Sequence, residues 1–138
     1  MKKIITLIIT MCISACGFGG SDGNEVQKYG EKVSYEGGKV LKYPDFTVRY
    51  AGTHEKSYPT DSSARKMVFY DFEVVKDNKK QTVSWSSGTG DIGPAFFYIG
   101  EADYVLEMKQ SDVLRTSIAD GNIVIWKRAD YEDAVKKK

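Results

Sequence analysis

The chain has 138 residues, with 20 basic and 19 acidic side chains and a net charge of +1. This near balance leaves no basic excess of the kind that nucleic-acid binding requires, so we expect no nucleic-acid partner. The length suits one domain with a core of its own rather than two.

The first 16 residues predict an export signal. Lys2 and Lys3 form a basic start, a short apolar run follows, and the run ends at Cys16. The segment Ile13-Ser14-Ala15-Cys16 resembles the lipobox of bacterial lipoproteins. The resemblance implies that residues 1–15 are cleaved off and that Cys16 is acylated, which anchors the chain to a membrane.

Two other interpretations of this segment fit less well. A membrane-spanning helix needs about 20 apolar residues, and the uncharged run here is about 13 residues long. Ordinary secretory cleavage after Ala15 favours a small residue where Ile13 stands.

Cleavage and acylation would change what the rest of the chain offers. Without Lys2 and Lys3 the chain carries 18 basic and 19 acidic residues, a net charge of −1. Of the two cysteines, Cys12 would be removed and Cys16 lipidated, so no thiol would remain for a disulfide, a metal or a nucleophile. A disulfide-stapled mini-protein is therefore excluded.

Residues 16–31 are predicted to comprise the lipidated cysteine and a flexible, glycine-rich tether. Residues 32–138 are predicted to form the domain. In enteric bacteria the residue after the lipidated cysteine helps to sort lipoproteins. Gly17 in that place favours the outer membrane, facing the periplasm or the cell surface.

Short apolar or alternating runs from residue 32 onward predict a series of strands separated by turn residues. Two sets of side chains recur at every second residue and are expected to face the core; they are Phe46, Val48 and Tyr50, and then Val68, Tyr70, Phe72 and Val74. The predicted strands are 32–35, 39–42, 46–51, 66–75, 81–86, 95–99, 104–109 and 122–127. Part of 104–118 also fits a helical stripe, but we favour a strand followed by a turn.

Three residue pairs are predicted to close hairpins, because each tolerates a positive φ. They are Gly37-Gly38, Asp77-Asn78 and Asp120-Gly121, the last being the strongest because apolar runs flank it. The segments 67–75 and 81–86 are expected to form the central hairpin. Acidic residues followed by lysines at 130–138 favour a short C-terminal helix.

Residues 88–93 match the dinucleotide-binding pattern G-x-G-x-x-G in their letters only. That motif must open a helix, whereas Pro94 and an aromatic strand follow here. The connection 86–94 is instead a rim loop, where β-domains often place recognition residues. The predicted partner-binding residues are Ser86, Ser87, Thr89, Asp91, Ile92 and Tyr98.

Aromatic side chains alternate between both faces of the strand at 95–99. Phe97 must face opposite to Phe96 and Tyr98, which favours a strand covered on both sides over a binding platform.

The sequence shows no strong pattern of catalytic or metal-binding residues. His54, the single histidine, is expected in an exposed loop, without a designated Ser or Asp partner. Asp71 and Glu73 are expected to point to solvent about 7 Å apart, but any i, i+2 pair on a strand gives that spacing. No catalytic residue, metal ligand or cofactor is predicted.

These features predict an all-β domain, a single antiparallel sandwich or a small barrel. We expect a non-catalytic, lipid-anchored domain of the cell envelope that binds a protein or glycan partner, as an accessory or inhibitor lipoprotein. The alternatives are an envelope hydrolase with an undesignated carboxylate site and a structural subunit whose edge strand accepts a partner strand.

Overall fold

A computed structural model of the chain describes residues 25–59, 64–87, 93–108 and 120–138. These ranges contain eight strands and a C-terminal helix. Each predicted strand is present, and β3 is the one that most exceeds its predicted length. The elements are β1 Lys32–Glu36, β2 Val40–Lys42, β3 Thr47–Pro59, β4 Ala64–Lys76, β5 Lys79–Ser87, β6 Ala95–Ile99, β7 Ala102–Met108, β8 Asp120–Lys127 and α1 Arg128–Lys136.

The strands form two four-stranded antiparallel sheets. Sheet A has the order β2-β3-β4-β5, and sheet B has the order β1-β8-β7-β6. The described parts of the two sheets share no strand, so the fold is a sandwich and not the closed barrel that was its alternative. The structure confirms the predicted all-β domain and the predicted short C-terminal helix.

The core lies between the inner faces of the two sheets. Side chains that follow the predicted two-residue periodicity contribute to it. Val48, Phe72 and Val74 are fully buried on sheet A, and Trp85 packs beside them from β5. Sheet B contributes its own alternate side chains, which are Phe97, Ile99, Tyr104, Leu106, Met108, Ile123 and Ile125. Aromatic rings make up much of this core. One example is Phe46, which meets Tyr104 edge to face with 4.8 Å between the ring centroids.

The predicted hairpin at Asp77-Asn78 is confirmed. Both residues have positive φ, 48° and 62°, as a two-residue type I′ turn requires. This turn joins β4 to β5 and places Lys76 opposite Lys79. β5 is the last strand in the order of sheet A, so it is an edge strand rather than a central one.

The hairpin predicted at Asp120-Gly121 is wrong. Both residues lie inside β8, where Gly121 pairs with Tyr35 of β1. The Tyr35 ring lies directly over Gly121 and its phenol oxygen would be 2.9 Å from an added β-carbon. The glycine is there to make room for a ring rather than to turn the chain.

The hairpin predicted at Gly37-Gly38 is also wrong, although a turn is present. The Lys39 N–H donates to the Glu36 carbonyl at 3.1 Å, and Gly38 has a φ of 82°. The two strands that this turn joins belong to different sheets, so it carries the chain across the sandwich.

Residues 26–30, which fall within the predicted tether, contact both sheets. The Gln27 N–H donates to the carbonyl of Lys42 in β2 at 2.7 Å, and the Gly30 N–H donates to the carbonyl of Ile125 in β8 at 2.8 Å. The sandwich therefore begins before the predicted boundary at residue 32.

Candidate functional site

The edge strands β5 and β6 lie beside each other at one side of the sandwich. A groove of about 420 Å³ separates them and is lined by residues 81–84 of β5 and residues 95–98 of β6. The strand predicted after Pro94 is present, so residues 88–93 lead into a strand and not into the helix that a dinucleotide motif requires.

Phe96 and Tyr98 stand on the outer face of β6 and are 53% and 57% exposed. Phe97 lies between them in sequence and is buried in the core. The expectation that this strand is covered on both faces is therefore wrong, because α1 reaches only part of the outer face. These two exposed rings are called the aromatic platform below.

Two charged side chains, Arg128 and Asp103, lie beside the platform and line one pocket with it, and Arg128 is also ion-paired with Glu132 at 2.7 Å. The guanidinium of Arg128 lies 4.5 Å from the centroid of the Phe96 ring, and Tyr131 of α1 meets the same ring edge to face at 6.2 Å. Asp103 on β7 is exposed and lies opposite Tyr98 in the strand register. Aromatic faces beside charged groups suit stacking on a sugar ring or on a peptide side chain.

The predicted partner-binding residues do not share one face where the structure describes them. Ser86 lies opposite Phe69 on the outer face of sheet A, whereas Tyr98 lies on the outer face of sheet B. Ser87 is the last residue of β5. Four residues lie outside the described ranges; they are Thr89, Asp91, Ile92 and Cys16, the predicted lipid-attachment residue.

His54 is not in a loop, as expected, but within β3. A β-bulge between Tyr50 and Gly52, where Gly52 has a φ of 125°, shifts the side-chain alternation by one residue. Tyr50 faces inward, and without the bulge His54 would share its face. The bulge turns His54 outward, opposite Phe69 and beside Asp71.

A hydrogen-bonded cluster results on the outer face of sheet A. The imidazole Nδ1 of His54 lies 2.6 Å from Oδ2 of Asp71, and the Ser84 hydroxyl donates to Oδ1 of the same carboxylate at 2.5 Å. The His54 ring also stacks on Phe69, with centroids 4.9 Å apart and an interplanar angle of 7°. Sequence reasoning missed this cluster, and the isolated Gly52 inside a strand was the available signal.

The cluster contains Ser, His and Asp but differs from a catalytic triad in its order. In a triad the imidazole stands between the hydroxyl and the carboxylate and takes the hydroxyl proton. Here the carboxylate of Asp71 stands in the middle, so Ser84 is not paired with a base of that kind.

Glu73, the second predicted outward carboxylate, is held by two cations. It accepts a hydrogen bond from Lys80 and another from Arg49 at 2.9 Å. The hydrogen bond from Lys80 is the main cause of the lowered pKa of Glu73. A glycosidase acid needs a raised pKa, so Glu73 is poorly suited to that role.

A third cluster closes one end of the sandwich around Asp45. The hydroxyls of Tyr29 and Tyr104 both donate to Oδ2 of Asp45, at 2.8 and 2.9 Å. These hydrogen bonds, first that from Tyr29, lower the pKa of Asp45. A cavity of about 440 Å³ opens beside it and is also lined by Lys76 and Lys127.

Sequence reasoning missed Asp45, and no local pattern could have found it. Its two phenol partners are 16 and 59 residues away along the chain. We interpret the cluster as a structural tie, because the carboxylate is already engaged by both hydroxyls.

Residues 25–59, 64–87, 93–108 and 120–138 contain no group of three His, Cys, Asp or Glu side chains placed to hold a metal ion. In the same residues, no helix has the length and apolar character needed to cross a membrane.

Comparisons of the chain with protein-family models, curated proteins and solved structures found no match.

Proposed function

We propose that this chain is a lipid-anchored domain of the cell envelope that binds a protein or glycan partner through the aromatic platform, without catalysing a reaction. The lipobox-like segment ending at Cys16 supports the anchor. The observation that supports binding is the exposure of Phe96 and Tyr98, each more than half accessible, on one outer face of an edge strand.

A contiguous exposed apolar patch that is bordered by polar residues often marks an interaction site. Phe and Tyr are enriched at binding surfaces because they supply a large contact area at a small cost in conformational entropy. The predicted rim loop 86–94 joins β5 to β6 and thus adjoins the platform in sequence, and its part in binding stays a prediction.

Catalysis is the less favoured alternative because the carboxylates that sequence reasoning considered are engaged. Asp71 accepts from Ser84 and lies against His54, while Glu73 is paired with Arg49 and Lys80. If the domain is a binder, Asp71→Ala, Glu73→Ala and His54→Ala leave partner capture unchanged.

The test is photo-crosslinking in native membranes. A photoreactive amino acid replaces Tyr98 in the full chain, and mass spectrometry identifies what is captured. We expect an adduct with an envelope protein or a glycan. The matched control is the same replacement at Val40, which is 48% exposed and lies on the edge strand β2.

A second arm removes the platform. The double substitution Phe96→Ser with Tyr98→Ser is expected to abolish capture from a probe in the rim loop, whereas Val40→Ser leaves it intact. Capture that persists at wild-type strength in the double variant would refute the platform as the binding surface.

A further inference from the structure

The groove between β5 and β6 has no charged side chain in its lining. Residues 81–84 and 95–98 line it, and none of these eight residues is acidic or basic. Lys80, which precedes the lining in β5, is ion-paired with Glu73. The lining therefore offers neither a cation to hold an anionic ligand nor a carboxylate to hold a cationic one.

Three polar side chains of the lining can each donate and accept a hydrogen bond. Gln81 has an amide, Thr82 a hydroxyl and Tyr98 a phenol. Within the part of the chain that the structure describes, no hydrogen bond engages these three side chains. Ser84 differs from them, because its hydroxyl donates to Asp71 and leaves only its oxygen as an acceptor. Sugar hydroxyls also both donate and accept, so they match the three side chains.

The same lining contains aromatic faces for the apolar side of a sugar ring. Phe96 and Tyr98 both line the groove, and both are more than half exposed. Arg128 lies 4.5 Å from the centroid of the Phe96 ring, whereas no ring or cation among the described residues covers Tyr98. Tyr98 is therefore the more accessible ring for stacking.

The width of the groove argues against an extended peptide strand. Cα atoms of β5 and β6 come within 8 Å of each other. A strand inserted between them would need about 9–10 Å, because paired strands lie about 4.7–4.9 Å apart. A sugar chain forms no strand ladder, and the unpaired backbone groups of the two edges add donors and acceptors for its hydroxyls.

We propose that this groove binds a neutral glycan, with one sugar ring stacked on Tyr98 and sugar hydroxyls hydrogen-bonded to Gln81 and Thr82. The volume of about 420 Å³ falls within the range of about 300–1,000 Å³ that small-ligand sites have. A purely apolar ligand would leave the polar groups of the lining without partners. The inference rests on the proposed function and narrows its partner to one class.

Binding to immobilised glycans tests this class. The full chain is solubilised in a detergent without a sugar headgroup. It is applied to neutral glucans, mannans and N-acetylglucosamine oligomers, and separately to sulfated heparin and carboxylated hyaluronate. We expect retention on a neutral glycan and none on heparin or hyaluronate. Added salt should leave the retention unchanged, because salt screens charge pairs and not neutral contacts.

Substitutions locate the binding in the groove. Tyr98→Ala is expected to weaken retention at least tenfold, because the stacking surface is lost. Thr82→Val keeps the shape of the side chain, removes the hydroxyl and should weaken retention about threefold to tenfold. The matched control is Thr53→Val, which changes an exposed threonine of β3 outside the groove lining. An unchanged Tm verifies that each variant is folded.

The results separate this inference from the proposed function. Retention on a neutral glycan that Tyr98→Ala and Thr82→Val weaken and Thr53→Val leaves intact supports the inference. Retention on heparin or hyaluronate alone, retention that the groove variants leave unchanged, or no retention on any glycan overturns it. If the photo-crosslink at Tyr98 then captures an envelope protein, the proposed function stands with a protein partner. If it captures nothing, the proposed function falls as well.

Discussion

Tyr35 and Gly121 face each other across β1 and β8, with the phenol oxygen 2.9 Å from the point where a β-carbon on Gly121 would lie. Two ring carbons of Tyr35 would lie 3.1 Å from the same point. The ring has little freedom to move away, because Tyr35 is 1% exposed and packs against Tyr50 and Phe72.

The first prediction is that Gly121→Ala lowers the free energy of unfolding by about 1–3 kcal/mol, the usual cost of overpacking a core. Urea denaturation followed by tryptophan fluorescence measures the change. Gly93→Ala is the matched control, since no heavy atom lies within 4 Å of a β-carbon added there. An unchanged midpoint for Gly121→Ala would show that β1 and β8 are not held in this register.

The second prediction concerns acid stability. Hydrogen bonds from Tyr29 and then Tyr104 lower the pKa of Asp45 in the folded state. The resulting stabilisation is present above the ordinary aspartate pKa of about 3.9 and is lost as the pH falls through the lower folded value. We expect Asp45→Asn to cost about 1–2 kcal/mol at neutral pH.

Below about pH 4 the difference between wild type and Asp45→Asn should shrink. Thermal unfolding at a series of pH values between neutrality and strong acid measures this difference. A gap that stays constant down to the lowest pH would contradict the role assigned to the carboxylate.

The third prediction concerns Tyr43, which is 2% exposed and whose buried hydroxyl has no hydrogen-bond partner among the described residues. Removing an unsatisfied buried hydroxyl while keeping the ring is nearly neutral or stabilising. Tyr43→Phe should therefore leave the free energy of unfolding unchanged or raise it. Tyr29→Phe removes a donor to Asp45 and should lower it by about 1 kcal/mol.

Tyr43→Phe is also expected to change how stability depends on pH in alkaline solution. Burial raises the pKa of Tyr43 in the folded state, so its contribution is present below the unfolded tyrosine pKa of about 10 and is lost as the pH rises further. Wild type should lose stability above about pH 10 more steeply than Tyr43→Phe. Parallel slopes in denaturant titrations at alkaline pH would argue against this cause.

The fourth prediction is that Gly52→Ala destabilises the bulge in β3. Gly52 has a φ of 125°, a conformation that a residue with a β-carbon rarely adopts, while the space around it is open. The cost is therefore backbone strain of about 1–3 kcal/mol and not steric crowding. Because the chain has one histidine, the imidazole NMR signals report directly on His54.

Those signals should move in Gly52→Ala and in Asp71→Asn, since both changes disturb the contact of His54 with Asp71. Gly93→Ala serves again as the control. Identical imidazole shifts in all three variants would mean that the bulge does not position His54.

The fifth prediction is that Cys16→Ser abolishes acylation and membrane retention. Cell fractionation and mass spectrometry of the mature N-terminus measure both. A mature chain that begins at any residue other than Cys16 would overturn the lipobox interpretation.

Sequence patterns predicted the strands well because side-chain alternation depends on near neighbours. Val48, Phe72 and Val74 show their inward face in the sequence itself, and the Asp77-Asn78 turn needs only its own two backbone conformations. Where local rules decide the outcome, the prediction and the structure agree.

The failures have a common physical cause, which is contact between distant residues. Gly121 reads as a turn residue until Tyr35 is seen to fill the space above it. His54 reads as a loop residue until the bulge at Gly52 extends β3 and brings Asp71 beside it. Whether Phe96 is covered depends on where α1 packs, and nothing in the strand itself reveals that.

The N-terminal segment has a mechanical consequence. Gln27 is hydrogen-bonded to sheet A and Gly30 to sheet B, so the chain joins the sandwich at both sheets before its first strand begins. A pulling force applied from the N-terminal side therefore meets the hydrogen bonds of Gln27 and Gly30 before it reaches β1, the edge strand of sheet B that follows them. A domain held at that end would resist being unravelled by movement of whatever it is fastened to.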